Sequence, residues 1–174
     1  LEAISGIPFP RGNGLCTRCP TQIIMKRTNS PQHWTAVASI NWYAISYLIC
    51  VLAPITTPDL GRILNQFAGD VHTPEEISSV IQRLTEVIIS PEYNTSRTGL
   101  SSHSIVIRVS APNVPDLTLI DLPGIVRTAT SGQDRTVVAE VDALIQSYLQ
   151  QEQTVILAVV PSNQVMRALF VSLL

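Results

Sequence analysis

The sequence predicts an α/β fold, a mostly parallel sheet with flanking helices in three layers, and three observations predict it. Thr73 to Ile89 carries apolar residues at helical spacing. Ile105 to Ser110 (IVIRVS) and Leu117 to Asp121 (LTLID) are short apolar runs with strand character. Thr136 to Gln150 returns to helical spacing and leads into the continuous apolar run Thr154 to Val160 (TVILAVV). Such a run is expected of a parallel strand covered on both faces. Strand, helix, strand in this order implies a right-handed crossover.

Taken in order, Ile7 to Pro20 reads as a loop, because Gly12 and Gly14 free the backbone and the prolines oppose a helix. Thr21 to Lys26 (TQIIMK) predicts a strand, and the partial alternation of Trp34 to Trp42 predicts the next. In the helix from Thr73, that residue is expected to cap, Pro74 suits the first helical position, and Glu76 completes a capping box. Ile77, Val80, Ile81, Leu84, Val87 and Ile88 then form one apolar, core-facing stripe. The segment APNVPD between IVIRVS and LTLID is turn-forming and is expected to join two antiparallel neighbours. Val137, Val138, Val141, Leu144, Ile145 and Tyr148 mark the core side of the later helix.

Composition narrows the function classes. Of 174 residues, 45% are hydrophobic and 14% charged, enough apolar material for a packed core. The net charge is -2 with no basic block, which argues against a nucleic-acid partner. Three cysteines (Cys16, Cys19, Cys50) make no disulfide framework and favour a reducing compartment. Cys16 and Cys19 form a C-x-x-C without a second ligand pair, and His33, His72 and His103 are scattered. No charged side chain lies between His33 and Pro58, but the densest part, Trp42 to Ile55, is 14 residues. A bilayer span takes about 20, so a buried segment is the better reading. No signal peptide opens the chain, and Leu1 reads as an interior position of a longer protein.

The sharpest local signal is Asp121-Leu122-Pro123-Gly124, directly after the strand LTLI. In α/β sheets, ligands gather beyond strand carboxyl ends. An Asp there can support a magnesium ion, a hard cation that takes oxygen ligands. A Gly three residues on lets the backbone approach a terminal phosphate. A strand-ending turn would use the same residues.

Three longer segments carry a family resemblance. LEAISGIPFPRGNGLCTRCP resembles the dynamin superfamily segment that follows the phosphate-binding P-loop and includes the first switch loop. DLTLIDLPGI resembles the second switch region, and VILAVVPSNQ the strand and loop after it. Their order and spacing agree with the family. The resemblance implies a P-loop NTPase-like sandwich, incomplete here, spanning residues 1 to 174. It implies GTP as ligand, Mg2+ as cofactor and GTP hydrolysis as activity. By this resemblance Thr17 is the switch threonine that contacts magnesium and helps place the attacking water. Asp121 supports the metal, and the Gly124 amide meets the γ-phosphate. Arg11, Gly12, Asn13 and Gly14 belong to the loop around the phosphates. Cys16 and Cys19 then simply flank the threonine. The family's use of GTP is to drive self-assembly into homo-oligomers and membrane remodelling, or in Mx-type relatives to oppose viruses. Membrane lipids or the cytoskeleton are the implied partners and the cytoplasm, with peripheral membrane attachment, the implied location.

The chain also departs from the pattern. It contains no G-x-x-x-x-G-K-[ST] and no T-K-x-D, the phosphate-gripping and guanine-reading motifs. Tyr43 to Thr57 and Val165 to Leu174 are apolar where the family carries charge. Impaired nucleotide binding is therefore expected. Two other readings stay open on the sequence: a non-catalytic interaction domain of this fold, and a small membrane protein anchored through residues 34 to 58.

Overall fold

The computed structural model describes residues 2–10, 17–29, 34–42, 68–94, 96–124, 136–150 and 154–157. In chain order these hold α1 (Glu2–Ser5), β1 (Thr21–Arg27), β2 (Thr35–Asn41), β3 (Gly69–Val71), α2 (Glu76–Ile89), β4 (Ser104–Ala111), β5 (Leu117–Asp121) and α3 (Thr136–Leu149). The predicted helices and the strands up to residue 121 are present, with ends shifted by one to three residues.

The five strands form one open sheet in the order β3-β2-β4-β1-β5. β1 and β4 pair in parallel, with Ile23 opposite Ile107. β1–β5, β2–β3 and β2–β4 are antiparallel. The α/β class holds, but the sheet is mixed, with a smaller parallel share than the strand and helix order implied. The APNVPD segment does not join adjacent strands, because β1 lies between β4 and β5. Arg27, at the end of β1, explains how the connection crosses over. Its backbone N–H donates to Asp116 Oδ1 at 2.7 Å and its Nε to the Val114 carbonyl at 3.2 Å.

Strand alternation sorts side chains onto two faces. Ile23, Met25, Ala36, Ala38, Ile40, Ile107 and Val109 point to one face and pack with the α2 stripe Ile77, Val80, Ile81, Leu84 and Ile88. Gln22, Asn41 and Ile120 lie on the other face, across a cavity of about 840 Å3 from Leu144 and Tyr148 of α3. A smaller cluster of Leu100, Val137 and Val141 anchors α3. Trp42 follows β2, with its ring 5.0 Å from both Tyr93 and His103.

Two local expectations are corrected. The helix begins at Glu76, not Thr73, and Glu75 occupies its cap without a side-chain cap bond. Thr73 and Pro74 form a preceding turn whose carbonyls accept from the Glu76 and Ile77 amides at 3.3 and 3.2 Å. The Glu76 carboxylate reaches back to the His72 N–H at 3.0 Å, one residue before the expected target. At the other end Ser90 is extended, as the following Pro91 demands. The second correction concerns Thr154 to Val160. Residues 154–157 form no strand, and Val155 is 94% exposed. An apolar run becomes a covered strand only with a pairing strand beside it, and none of the described strands pairs with this one. Residues 158–160 lie outside the described residues, as do Tyr43 to Thr57 and Val165 to Leu174. Among the described residues, no helix is long and apolar enough to cross a membrane.

Candidate nucleotide-facing site

The register of β1 and β5 builds the site. Because these strands are antiparallel, the end of β5 lies beside the start of β1, with Asp121 opposite Thr21. The segment entering β1 carries Thr17 four positions before Thr21. Pro20 helps aim this segment: its ring fixes the backbone, and its carbonyl accepts the Ile105 N–H at 2.9 Å. The Thr17 Oγ1 hydroxyl donates to Asp121 Oδ2 at 2.8 Å. Thr17, Arg18, Thr21 and Asp121 share a cavity of about 270 Å3 with Gln82 and Thr85 of α2.

Both oxygens are partly shielded. Burial raises the Asp121 pKa above the usual carboxylate value, and the Thr17 hydrogen bond opposes that shift. Cys19 is buried on the same wall, its Sγ 4.0 Å from Thr85 Oγ1. The Thr85 hydroxyl donates to the Ile81 carbonyl at 2.8 Å, which leaves the thiol as the donor in that contact. Burial, with the nearby Asp121 charge adding to it, pushes the Cys19 thiol up to about 11. Such a thiol stays protonated at neutral pH and is a poor nucleophile and metal ligand.

Gly124 lies three residues beyond Asp121 in exposed, irregular backbone. A Cβ there would meet no atom within 4 Å. No steric contact among the described residues therefore requires glycine at this position. Thr17 and Asp121 are thus brought together and Gly124 follows on the same segment. Arg11, Gly12, Asn13, Gly14 and Cys16 lie outside the described residues. The donor set at Thr17 and Asp121, a hydroxyl and a carboxylate, is all oxygen and suits a hard divalent cation. Among the described residues, no group of three His, Cys, Asp or Glu side chains forms a metal cluster. Sequence reading missed Arg18 and α2 as walls of the cavity, since neither carries a motif.

Comparison with known proteins bears on this geometry. The model of the Dynamin family matches residues 1–169. The chain belongs to the dynamin family. It is 33% identical over 163 residues to the interferon-induced GTP-binding protein Mx of Dicentrarchus labrax, covering 94% of this chain and 21% of that protein. It is 36% identical to the interferon-induced GTP-binding protein Mx2 of Ovis aries, covering 94% of this chain and 18% of that one. The corresponding Mx protein of Perca fluviatilis is 32% identical, with 94% and 44% covered. The chain therefore spans less than half of each of these relatives.

Proposed function

We propose that this dynamin-family chain is part of a domain that binds and hydrolyses GTP, with Thr17 and Asp121 facing magnesium at the terminal phosphate. The observation that carries the reading is the 2.8 Å hydrogen bond between those two side chains, in the wall of a cavity beside a strand end. The relatives' description as GTP-binding supports the choice of nucleotide.

The residues have distinct tasks in this reading. Thr17 and Asp121 would hold the cation through oxygen, and Gly124 would offer its backbone N–H to the γ-phosphate. The bound ion supplies charge neutralisation for the phosphate oxygens. The Thr17 hydroxyl, a donor to Asp121 in the free chain, can turn its lone pair outward while Asp121 keeps its charge for the ion. Arg11 to Gly14, which lie outside the described residues, would belong to the loop around the phosphates in this reading. In a full-length protein of this family, turnover would drive self-assembly and work on membranes, in a cytoplasmic protein that attaches to them peripherally.

The 174 residues contain neither the phosphate-gripping nor the guanine-reading motif. The chain by itself therefore binds GTP weakly. Isothermal titration with GTP and magnesium tests this, and a micromolar affinity would contradict it. A second reading is an interaction domain of the same fold without turnover, and a full-length protein without a P-loop motif would favour it. Titration of the full-length protein separates the two, since an interaction domain gains no GTP affinity from the remaining residues.

A further inference from the structure

We infer that Glu140, on α3, is a positioning residue for Thr17, acting through the loop 96–101. The loop is held at both ends. On the α3 side, Glu140 Oε2 accepts from the Thr98 hydroxyl and, at 3.1 Å, from Ser96 Oγ. The two hydroxyls lie 2.6 Å apart. Leu100 is buried against Val137 and Val141 of the same helix. On the other side, the Ser101 N–H donates to the Arg18 carbonyl at 3.0 Å. Gly99 sits at φ +70, and a Cβ there would lie 2.9 Å from the Arg18 guanidinium.

The consequence is mechanical. Arg18 follows Thr17, so the backbone bond to Ser101 holds the Arg18–Cys19 peptide and restrains Thr17 from one residue away. The loop that makes this bond is tied to α3 by one carboxylate and one buried leucine. α3 is the helix that comes after the Asp121 segment in the chain. A shift of α3 along its axis would pull on Thr98 and pass through Gly99 and Ser101 to Arg18. The hydroxyl at the candidate site is thereby coupled to a helix that does not line its cavity.

The inference rests on the reading of Thr17 given above, but its test uses neither nucleotide nor metal. Failure of the magnesium reading would leave the result standing. The test is amide NMR and hydrogen exchange on the 174-residue chain, comparing Glu140→Ala, Glu140→Gln and Thr98→Val. Glu140→Ala should raise exchange at the Ser101 amide about tenfold and move the Thr17 and Arg18 resonances. Glu140→Gln keeps an acceptor oxygen and should restore most of both. A purely local role would perturb α3 and residues 96–101 alone. Unchanged Thr17 and Arg18 in Glu140→Ala, with the Ile23 and Ile107 amides still protected, would overturn the inference. Should Glu140→Ala lose that core protection, Thr98→Val, which puts a methyl group in place of the hydroxyl bonded to Glu140, decides by the same two criteria.

Discussion

Thr17 and Asp121 stand 104 positions apart in sequence and meet through a 2.8 Å hydrogen bond. The contact follows from the antiparallel register of β1 and β5, which lays Asp121 beside Thr21 where the Thr17 segment enters the sheet. Removing the hydroxyl with Thr17→Val should cost about 1 kcal/mol of stability, the usual net value of such a bond. Urea denaturation measures it. An unchanged midpoint would mean that the bond is not formed in solution.

The same pair makes a pH prediction. Burial raises the folded pKa of Asp121 above its ordinary value of 3.8, so the native chain keeps that proton to higher pH than the unfolded chain. Its contribution to stability is therefore largest in acid and falls as pH rises from 3.8 through the raised folded value. Thr17 opposes the shift, so Thr17→Val should raise the Asp121 pKa further. A carboxyl carbon NMR titration checks the direction.

His103 works with the opposite sign. It is buried beside Trp42, and its Nδ1 has no hydrogen-bond partner among the described residues. Burial lowers its pKa below 6.5. The unfolded chain thus binds the proton first, and stability should fall as pH drops from 6.5 toward the depressed folded value. Denaturation midpoints across this window measure the slope. His103→Gln, which cannot take up the proton, should flatten it.

The sheet core rests on Ile107, fully buried between Ile23 of β1 and Ala38 of β2. Ile107→Ala should cost about 2–5 kcal/mol, through lost transfer energy and the cavity left behind. Thermal or urea unfolding reads this directly. The same substitution should also loosen the Thr17–Asp121 contact, since the Thr17 segment leads into β1 and Asp121 ends β5, the strand paired with it.

Cys19 gives a chemical check on the cavity wall. With its thiol pushed up to about 11 and the side chain buried, alkylation at pH 8 should be far slower than for a free cysteine in unfolded protein. Peptide mapping after brief iodoacetamide treatment distinguishes Cys19 from the other two cysteines. Rapid labelling of Cys19 would show the wall to be open.

The sequence revealed most where local chemistry and tertiary packing agree. The α2 stripe from Ile77 to Ile88 was legible because helical period and burial coincide. Asp121 was legible because an apolar strand ends in an Asp followed by Pro and Gly, and family resemblance linked it to Thr17. Strand order was not legible. Nothing in APNVPD reveals that β1 will slide between β4 and β5, because that depends on pairing with residues far away in the chain. Residues 154–157 read as part of a covered strand for the same reason: composition describes a strand's faces but not its neighbours. Nor could the start of α2 be read from Thr73, since the Glu76 carboxylate finds the His72 amide first. The contacts of Arg18 with Gly99 and Ser101 carry no motif and became visible only in three dimensions.

The most direct test of the central claim replaces magnesium with paramagnetic Mn2+ and adds GTP at millimolar concentration to the isotopically labelled chain. Relaxation enhancement detects even weak, brief occupancy. The account predicts that the Thr17, Asp121 and Gly124 resonances broaden first and together, and that EDTA reverses the effect. Broadening centred elsewhere, or none at these three residues, would contradict it.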